Sequence, residues 1–272
     1  MIVTSLLALG SLYAIGLSRL WQSAGAGRGI SYQRAFCFLL GLLALAAAFA
    51  PQLDAWADSV FFVHMLQHEL LMVVAAPLLA ASQAGVAFAW VTPGRHRRLS
   101  VWPHRLAQRF FIPTPAVACV VHAIALWMWH IPALYELARS HEIVHACQHL
   151  TFLLTAWWFW WALAHSRLGR LGFGPAVLYL FATTVQSGAL GALLVVSPTL
   201  WYAANSQRAG ALGLTALQDQ QLGGLLMWVP AGIIFVAAAL VYLAAWLGES
   251  ERRVNLPLEV SWRSTEKPLA EG

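Results

Sequence analysis

Long apolar segments separated by short connections are the feature that most constrains how this chain can fold. A helix needs about 20 apolar residues to cross the hydrocarbon core of a bilayer. Seven segments approach or exceed this length: 2–18, 35–51, 59–91, 113–130, 145–165, 175–196 and 222–247. Only 10% of the residues are charged, against roughly 25% in a soluble domain. We therefore expect an all-α integral membrane protein, with a bundle of seven transmembrane helices in residues 1–248 and a flexible tail in residues 249–272.

The positions of lysine and arginine predict how these helices are oriented. The six connections and the tail carry 3, 0, 5, 1, 2, 1 and 4 basic residues in chain order, so fourteen of the sixteen fall on one side. Because cytoplasmic loops are enriched in lysine and arginine, we place the N-terminus outside and the tail in the cytoplasm. This topology accounts for the net charge of +5, and we expect no nucleic-acid partner.

The third segment, 59–91, is longer than a bilayer requires. Its 33 residues would form a straight helix about 50 Å long. Pro77 lies within it and lacks the backbone N–H that a continuous helix uses. We expect this segment to tilt, bend or project from the membrane.

Histidines gather at the outer boundary that this topology predicts. The set comprises His64, His68, His130, His141, His145 and His149. Residues four apart share one face of a helix. His64 and His68 therefore face one way on the third helix, and His145 and His149 face one way on the fifth. Two such pairs can supply four imidazoles to one cavity.

A cluster of imidazoles in a membrane protein predicts a metal site. Ionisable residues in transmembrane segments usually mark function, and neutral imidazole binds copper and zinc well, while a thioether favours Cu(I). The predicted ligands are His64, His68, His145 and His149, with His130, His141, Met227 and Asp219 as further candidates. Glu69 and Gln148 are predicted to orient ligands by hydrogen bonding, although Glu69 points about 100° away from His68 on an ideal helix.

Three blocks of the sequence resemble a known family. They are FFVHMLQHELLMVVAAPLL (61–79), WHIPALYELA with HEIVHACQHLTFLLTAWWFWW (129–161), and DQQLGGLLMWVP (219–230). Together they are similar to the CtaG-type assembly factors of bacterial cytochrome c oxidase (caa3 oxidase). The resemblance implies a multi-pass protein of the bacterial plasma membrane that associates with cytochrome c oxidase subunits and is needed to form an active haem–copper oxidase. It does not imply an enzyme, and we expect none. It further implies a role in delivering copper or forming the copper centre of the oxidase.

Two other functions fit the same residues. Histidines on facing helices are also the axial ligands of b-type haem, which would make the chain a membrane redox protein. Alternatively, the histidines are structural and the chain is a metal-free scaffold that docks oxidase subunits. The sequence leaves open whether the metal is copper, as Cu(I), or zinc, and it leaves the oligomeric state open.

Overall fold

The computed structural model describes residues 2–92, 115–165, 173–202 and 208–265. The regular structure within these ranges is entirely helical. The ten α-helices are α1 (Ile2–Ala24), α2 (Tyr32–Ala48), α3 (Pro51–Ala57), α4 (Phe61–Ala81), α5 (Ala84–Ala89), α6 (Pro115–Trp129), α7 (Pro132–Ser140), α8 (Glu142–His165), α9 (Gly174–Val196) and α10 (Ala216–Thr265). The described residues leave out residues 93–114, which contain the five arginines predicted to be cytoplasmic. They also leave out the end of the tail, residues 266–272.

The described helices are those of a multi-pass membrane protein. Four of them, α1, α4, α9 and α10, are long and apolar enough to cross a bilayer. The number rises to six if the bent pairs α2–α3 and α6–α7 are each one span. Helix α8 has 24 residues, but its tryptophans, histidines and glutamine lower its hydropathy below that of the four. The count of seven spans and the orientation therefore stay predictions.

Prolines produce the two bent pairs. Pro51 and Pro132 each stand at the first position of a short helix, where a missing backbone N–H costs no hydrogen bond. The preceding residues, Ala50 and Ile131, are extended, with ψ values of 133° and 124°, as expected before proline. The axes turn by 50° at the first break and by 74° at the second. The predicted spans 35–51 and 113–130 thus continue into short, tilted helices.

The third predicted span, 59–91, is divided in the structure. Residues Leu70–Ala75 of α4 form a π-helical turn just before Pro77, and the helix ends at Ala81. Gln83 then adopts a left-handed conformation with φ of 54°, after which α5 begins. In the π register the Ala76 N–H pairs with the Leu71 oxygen, and the corresponding partner of the Met72 oxygen is Pro77, which lacks an N–H. The indole Nε1 of Trp160 in α8 donates to that oxygen instead, at 3.1 Å.

Glycines allow α10 to pack closely against its neighbours. A Cβ atom on Gly191 of α9 would lie 2.7 Å from the carbonyl oxygen of Gly224, and one on Gly224 would lie 2.7 Å from that of Gly191. Gly191 belongs to the run SGALGA (187–192), whose small residues allow close helix packing. On another side of α10, a Cβ on Gly223 would lie 2.5 Å from the ring of Phe61. Helix α4 is therefore held directly against α10.

The described part of the connection between α9 and α10 packs against α4, since Tyr202 stacks on Phe61. Its described part is irregular from Ser197 to Tyr202 and forms a short 3₁₀ helix at Ala209–Leu212. The side chain of Gln220 fastens it, because its Oε1 accepts from the Trp201 N–H at 2.6 Å and its Nε2 donates to the Thr199 oxygen at 3.1 Å. The backbone of α10 is helical through Thr265, within the segment expected to be a tail.

Candidate metal centre

Three histidines from two helices converge in the bundle. One nitrogen of His64 on α4 and one nitrogen each of His145 and His149 on α8 lie within 4.8 Å of one another. The ring of His64 is 5.3 Å from that of His145 and nearly parallel to it, and it is 6.0 Å from that of His149. We call His64, His145 and His149 the triad.

Four of the six ring nitrogens of the triad are buried and have no protein partner where the structure is described. Both ring nitrogens of His64, and the Nε2 atoms of His145 and His149, are buried without a hydrogen bond. A buried polar group left unpaired costs about 1–3 kcal/mol. A neutral imidazole has one bare nitrogen, so the triad offers three lone pairs, one per ring, and the arrangement suits an ion that would bind them.

His68 borders the triad without belonging to it. Its ring lies 4.3 Å from that of His64 and 5.1 Å from that of His149. It also packs edge-on against Phe152 at 4.8 Å. Both of its nitrogens are buried and unpaired with respect to the described residues. Of the four predicted ligands, three therefore converge and the fourth is their immediate neighbour.

His130, directly after α6, lies beside His68, and we call the space among the triad, His68 and His130 the histidine pocket. Its Nδ1 lies 2.7 Å from the carbonyl oxygen of Leu126, and since a carbonyl only accepts, Nδ1 carries the proton. In the neutral ring Nε2 is then the bare nitrogen. Nε2 is buried and finds no partner in the described chain, and the ring lies 6.4 Å from that of His68.

His141, Met227 and Asp219, the other further candidates, are placed differently. His141 is exposed, and its carbonyl accepts from the backbone N–H of His145 at 3.0 Å at the start of α8. Met227 is buried in the apolar core. Asp219 accepts from the backbone N–H groups of Phe61 and Phe62, at 2.8 and 2.9 Å. The carboxylate thus caps the start of α4, one turn before His64.

Glu69 and Gln148, the two predicted orienting residues, are buried, but each has unpaired polar atoms. Oε2 of Glu69 has no hydrogen bond to the described residues, and neither do the amide oxygen and nitrogen of Gln148. None of these three atoms therefore orients a histidine through a hydrogen bond. Glu69 shares a face of α4 with Phe61 and Met65. This face packs against α10. Gln148 is one turn before Phe152 on α8, which places it on the face towards His68 and His130.

Two tyrosines complete the surroundings of the histidines, and the sequence did not single them out. The ring of Tyr135 on α7 meets that of His64 edge-on at 5.5 Å. Tyr202 stacks on Phe61 at 4.9 Å, and its hydroxyl donates to the His130 carbonyl at 2.6 Å. Burial raises the pKa of the Tyr202 hydroxyl, which stays a donor. Phe61, Tyr135 and Tyr202 form an aromatic cluster beside the triad.

One ion pair ties this region together from outside. Nη1 of Arg139 lies 3.0 Å from Oδ1 of Asp58, and Nη2 donates to the Asp58 carbonyl. The side chain of Arg139 is 14% exposed, whereas that of Asp58 is 61% exposed. The pair joins the end of α7 to the turn before α4, and therefore the tyrosine side of the pocket to the helix that carries His64.

Comparison with known proteins places these residues in a family context. The model of the family described as cytochrome c oxidase caa3 assembly factor matches residues 11–249. An uncharacterized protein of Mycobacterium leprae (strain TN) is 21% identical over 257 residues, covering 90% of this chain. Uncharacterized proteins of Mycobacterium bovis and Mycobacterium tuberculosis are each 24% identical over 260 residues, also 90% of this chain. This chain spans 38% of the length of each of these curated relatives. No solved structure matches.

Proposed function

Since the chain belongs to the family of cytochrome c oxidase caa3 assembly factors, we propose that it supplies copper to a haem–copper oxidase. It holds Cu(I) in the histidine pocket and passes it to an oxidase subunit in the bacterial plasma membrane. Copper is the cargo of this protein, and no covalent chemistry is required of it. The observation that carries the proposal is the convergence of three histidines, with one nitrogen of each within 4.8 Å of the others, each ring having at least one buried, unpaired nitrogen.

The triad fits a small ion after slight adjustment. A three-coordinate ion with bonds of about 2.0 Å holds its nitrogens roughly 3.5 Å from one another. The triad nitrogens are within 4.8 Å, so small side-chain rotations bring them into reach. Imidazole sites bind copper more tightly than zinc in the divalent series. The test of the proposal therefore compares both metals.

The same crowding argues against haem. A bis-histidine haem requires two imidazoles on opposite sides of an open slab wide enough for the macrocycle. Here the rings of His64 and His68 are 4.3 Å apart, as are those of His145 and His149. Phe152 and Tyr135 fill the adjoining space. A compact ion suits this volume better than a porphyrin.

Metal analysis of the purified protein tests the proposal. The protein is loaded anaerobically with Cu(I) or Zn²⁺ in detergent, freed of loosely held metal and measured by elemental analysis. We expect at least one copper per chain in the wild type and at least one copper fewer per chain in His64→Ala/His149→Ala. His141→Ala is the matched control, because it removes an exposed histidine outside the triad, and it should bind as the wild type does.

Function in cells distinguishes the alternatives. A strain that lacks the gene is complemented with each variant, and oxidase activity in membranes is measured. Loss of activity with the triad variant, and not with His141→Ala, is expected. The proposal is wrong if wild type and triad variant retain equally little copper. A Soret band in the pure protein would indicate the haem alternative, and full oxidase activity of a copper-free protein would indicate a scaffold.

A further inference from the structure

His68 and His130 are left unexplained by a single ion in the triad. Both are buried, and together they present three ring nitrogens that lack partners among the described residues. They come from different helices, α4 and α6, and their rings lie 6.4 Å apart. Since buried unpaired nitrogens are costly, this second group needs a ligand of its own.

The separation of the two rings suits an ion between them. Two imidazole nitrogens bound in line to one ion, each about 2.0 Å from it, place the ring centres roughly 6 Å apart. The rings of His68 and His130 are 6.4 Å apart and almost perpendicular, at 81°. The Leu126 carbonyl keeps the proton on Nδ1 of His130, so Nε2 is the nitrogen free to bind.

The surroundings of this pair are dry and contain one further polar group. Phe152 is fully buried and its ring packs against both His68, at 4.8 Å, and His130, at 6.0 Å. Gln148, one turn before Phe152 on the same face of α8, is fully buried with its amide oxygen and nitrogen unpaired in the described structure. An amide oxygen placed there is available to a cation or to its bound water.

We propose that the pocket holds two copper positions, the triad and a second position formed by His68 and His130. This inference rests on the proposed function, because it divides the same histidines between two ions. Two-coordinate binding by imidazoles in line suits Cu(I), which needs no further ligand. Movement of an ion between positions is a ligand exchange, in which nitrogens of one group replace those of the other and the copper keeps its charge.

The two positions differ in affinity. The triad supplies three nitrogens and the pair supplies two. The rings of His64 and His68 are 4.3 Å apart, so the ions are close. Two unit charges about 5 Å apart in a medium of effective dielectric constant about 20 repel enough to weaken the second binding step by roughly two orders of magnitude. The triad therefore fills first, and the pair holds the ion that is released first.

Stepwise Cu(I) titration against a chromophoric chelator tests this inference. We expect two ions per chain in the wild type, bound with dissociation constants that differ at least tenfold. His130→Asn should bind only the tight ion, because the asparagine amide replaces Nδ1 as donor to Leu126 and lacks Nε2. His145→Ala should weaken the tight step instead, and His141→Ala, which changes an exposed residue, should keep both steps.

The outcomes separate this inference from the proposed function. One ion in the wild type and one in His130→Asn would overturn the second position and leave copper binding intact. Two ions in both proteins would also overturn it, since the second ion would lie elsewhere. No copper in the folded wild type would overturn the proposed function itself. If His130→Asn does not fold, as judged by its thermal transition, His68→Asn replaces it and must likewise lose only the weak step.

Discussion

Replacement of Asp219 should loosen the start of α4 and, with it, the triad. The carboxylate is fully buried and accepts from two backbone N–H groups, those of Phe61 and Phe62, at 2.8 and 2.9 Å. His64 follows Phe62 by two residues. The cap thus connects α10 to the position of a proposed copper ligand.

The magnitude follows from those two bonds. A hydrogen bond to a charged group contributes about 1.5–3 kcal/mol, so Asp219→Ala should lower the free energy of unfolding by about 3 kcal/mol or more. Asp219→Asn keeps one acceptor oxygen and directs an NH₂ group at the other backbone N–H, and it should lose about half as much or slightly more. At about 2–4 °C per kcal/mol for a chain of this size, the alanine variant should melt roughly 6–12 °C below the wild type.

The assay is thermal unfolding in detergent, followed by Cu(I) titration of the folded variants. Asp58→Asn is the matched control, because Asp58 is also an acidic residue in an interhelical contact but is 61% exposed. An exposed ion pair is worth about 0–1 kcal/mol. The reasoning is refuted if two results are found together. The melting temperature of Asp219→Ala falls no further below the wild type than that of Asp58→Asn, and Asp219→Ala binds Cu(I) as tightly as the wild type.

The same measurements check two further predictions about the bundle. Gly224→Ala should lower the free energy of unfolding by about 1–3 kcal/mol, because its Cβ would lie 2.7 Å from the Gly191 oxygen and force α9 and α10 apart. Gly232→Ala is the control, because nothing lies within 4 Å of the added atom, and it should be neutral or slightly stabilising. An equal fall in the free energy of unfolding in both variants would contradict close packing as the cause. Tyr202→Phe should cost about 1 kcal/mol, because the His130 carbonyl loses its donor, and an unchanged melting temperature would show that water replaces the hydroxyl.

The sequence alone predicted the helical membrane class and most of the proposed ligands. Apolar segments and the absence of a long polar stretch predict membrane helices from composition alone, and the structure confirms an all-helical chain, over the residues it describes, with four to six candidate spans. The interval of four residues between His64 and His68, and between His145 and His149, is a local property of a helix. The spacing by itself therefore predicts that the two members of each pair share one face.

Relations between helices could not be derived from such local spacing. The sequence did not indicate that Asp219 would cap α4, since the two are joined by hydrogen bonds across 157 and 158 residues of chain. Nor did it separate His68 from the triad, because residues on one helical face can still serve different neighbours. Tyr135 lies in a block that resembles the family, but nothing in a lone tyrosine predicts contact with His64.

What the sequence determined by itself is therefore local: which segments are helical and apolar, where prolines interrupt them, and which side chains share a face. These depend on backbone geometry and on transfer of side chains from water, and both are properties of neighbouring residues. The tertiary structure decided which faces meet. Glycines at 191 and 224 bring the backbones of α9 and α10 together, and Gly223 makes room for the ring of Phe61 on α4, the helix on which His64 meets His145 and His149 of α8. Helix packing depends on shape complementarity between segments distant in the chain, and so the convergence of His64 with His145 and His149 became visible only in the assembled bundle.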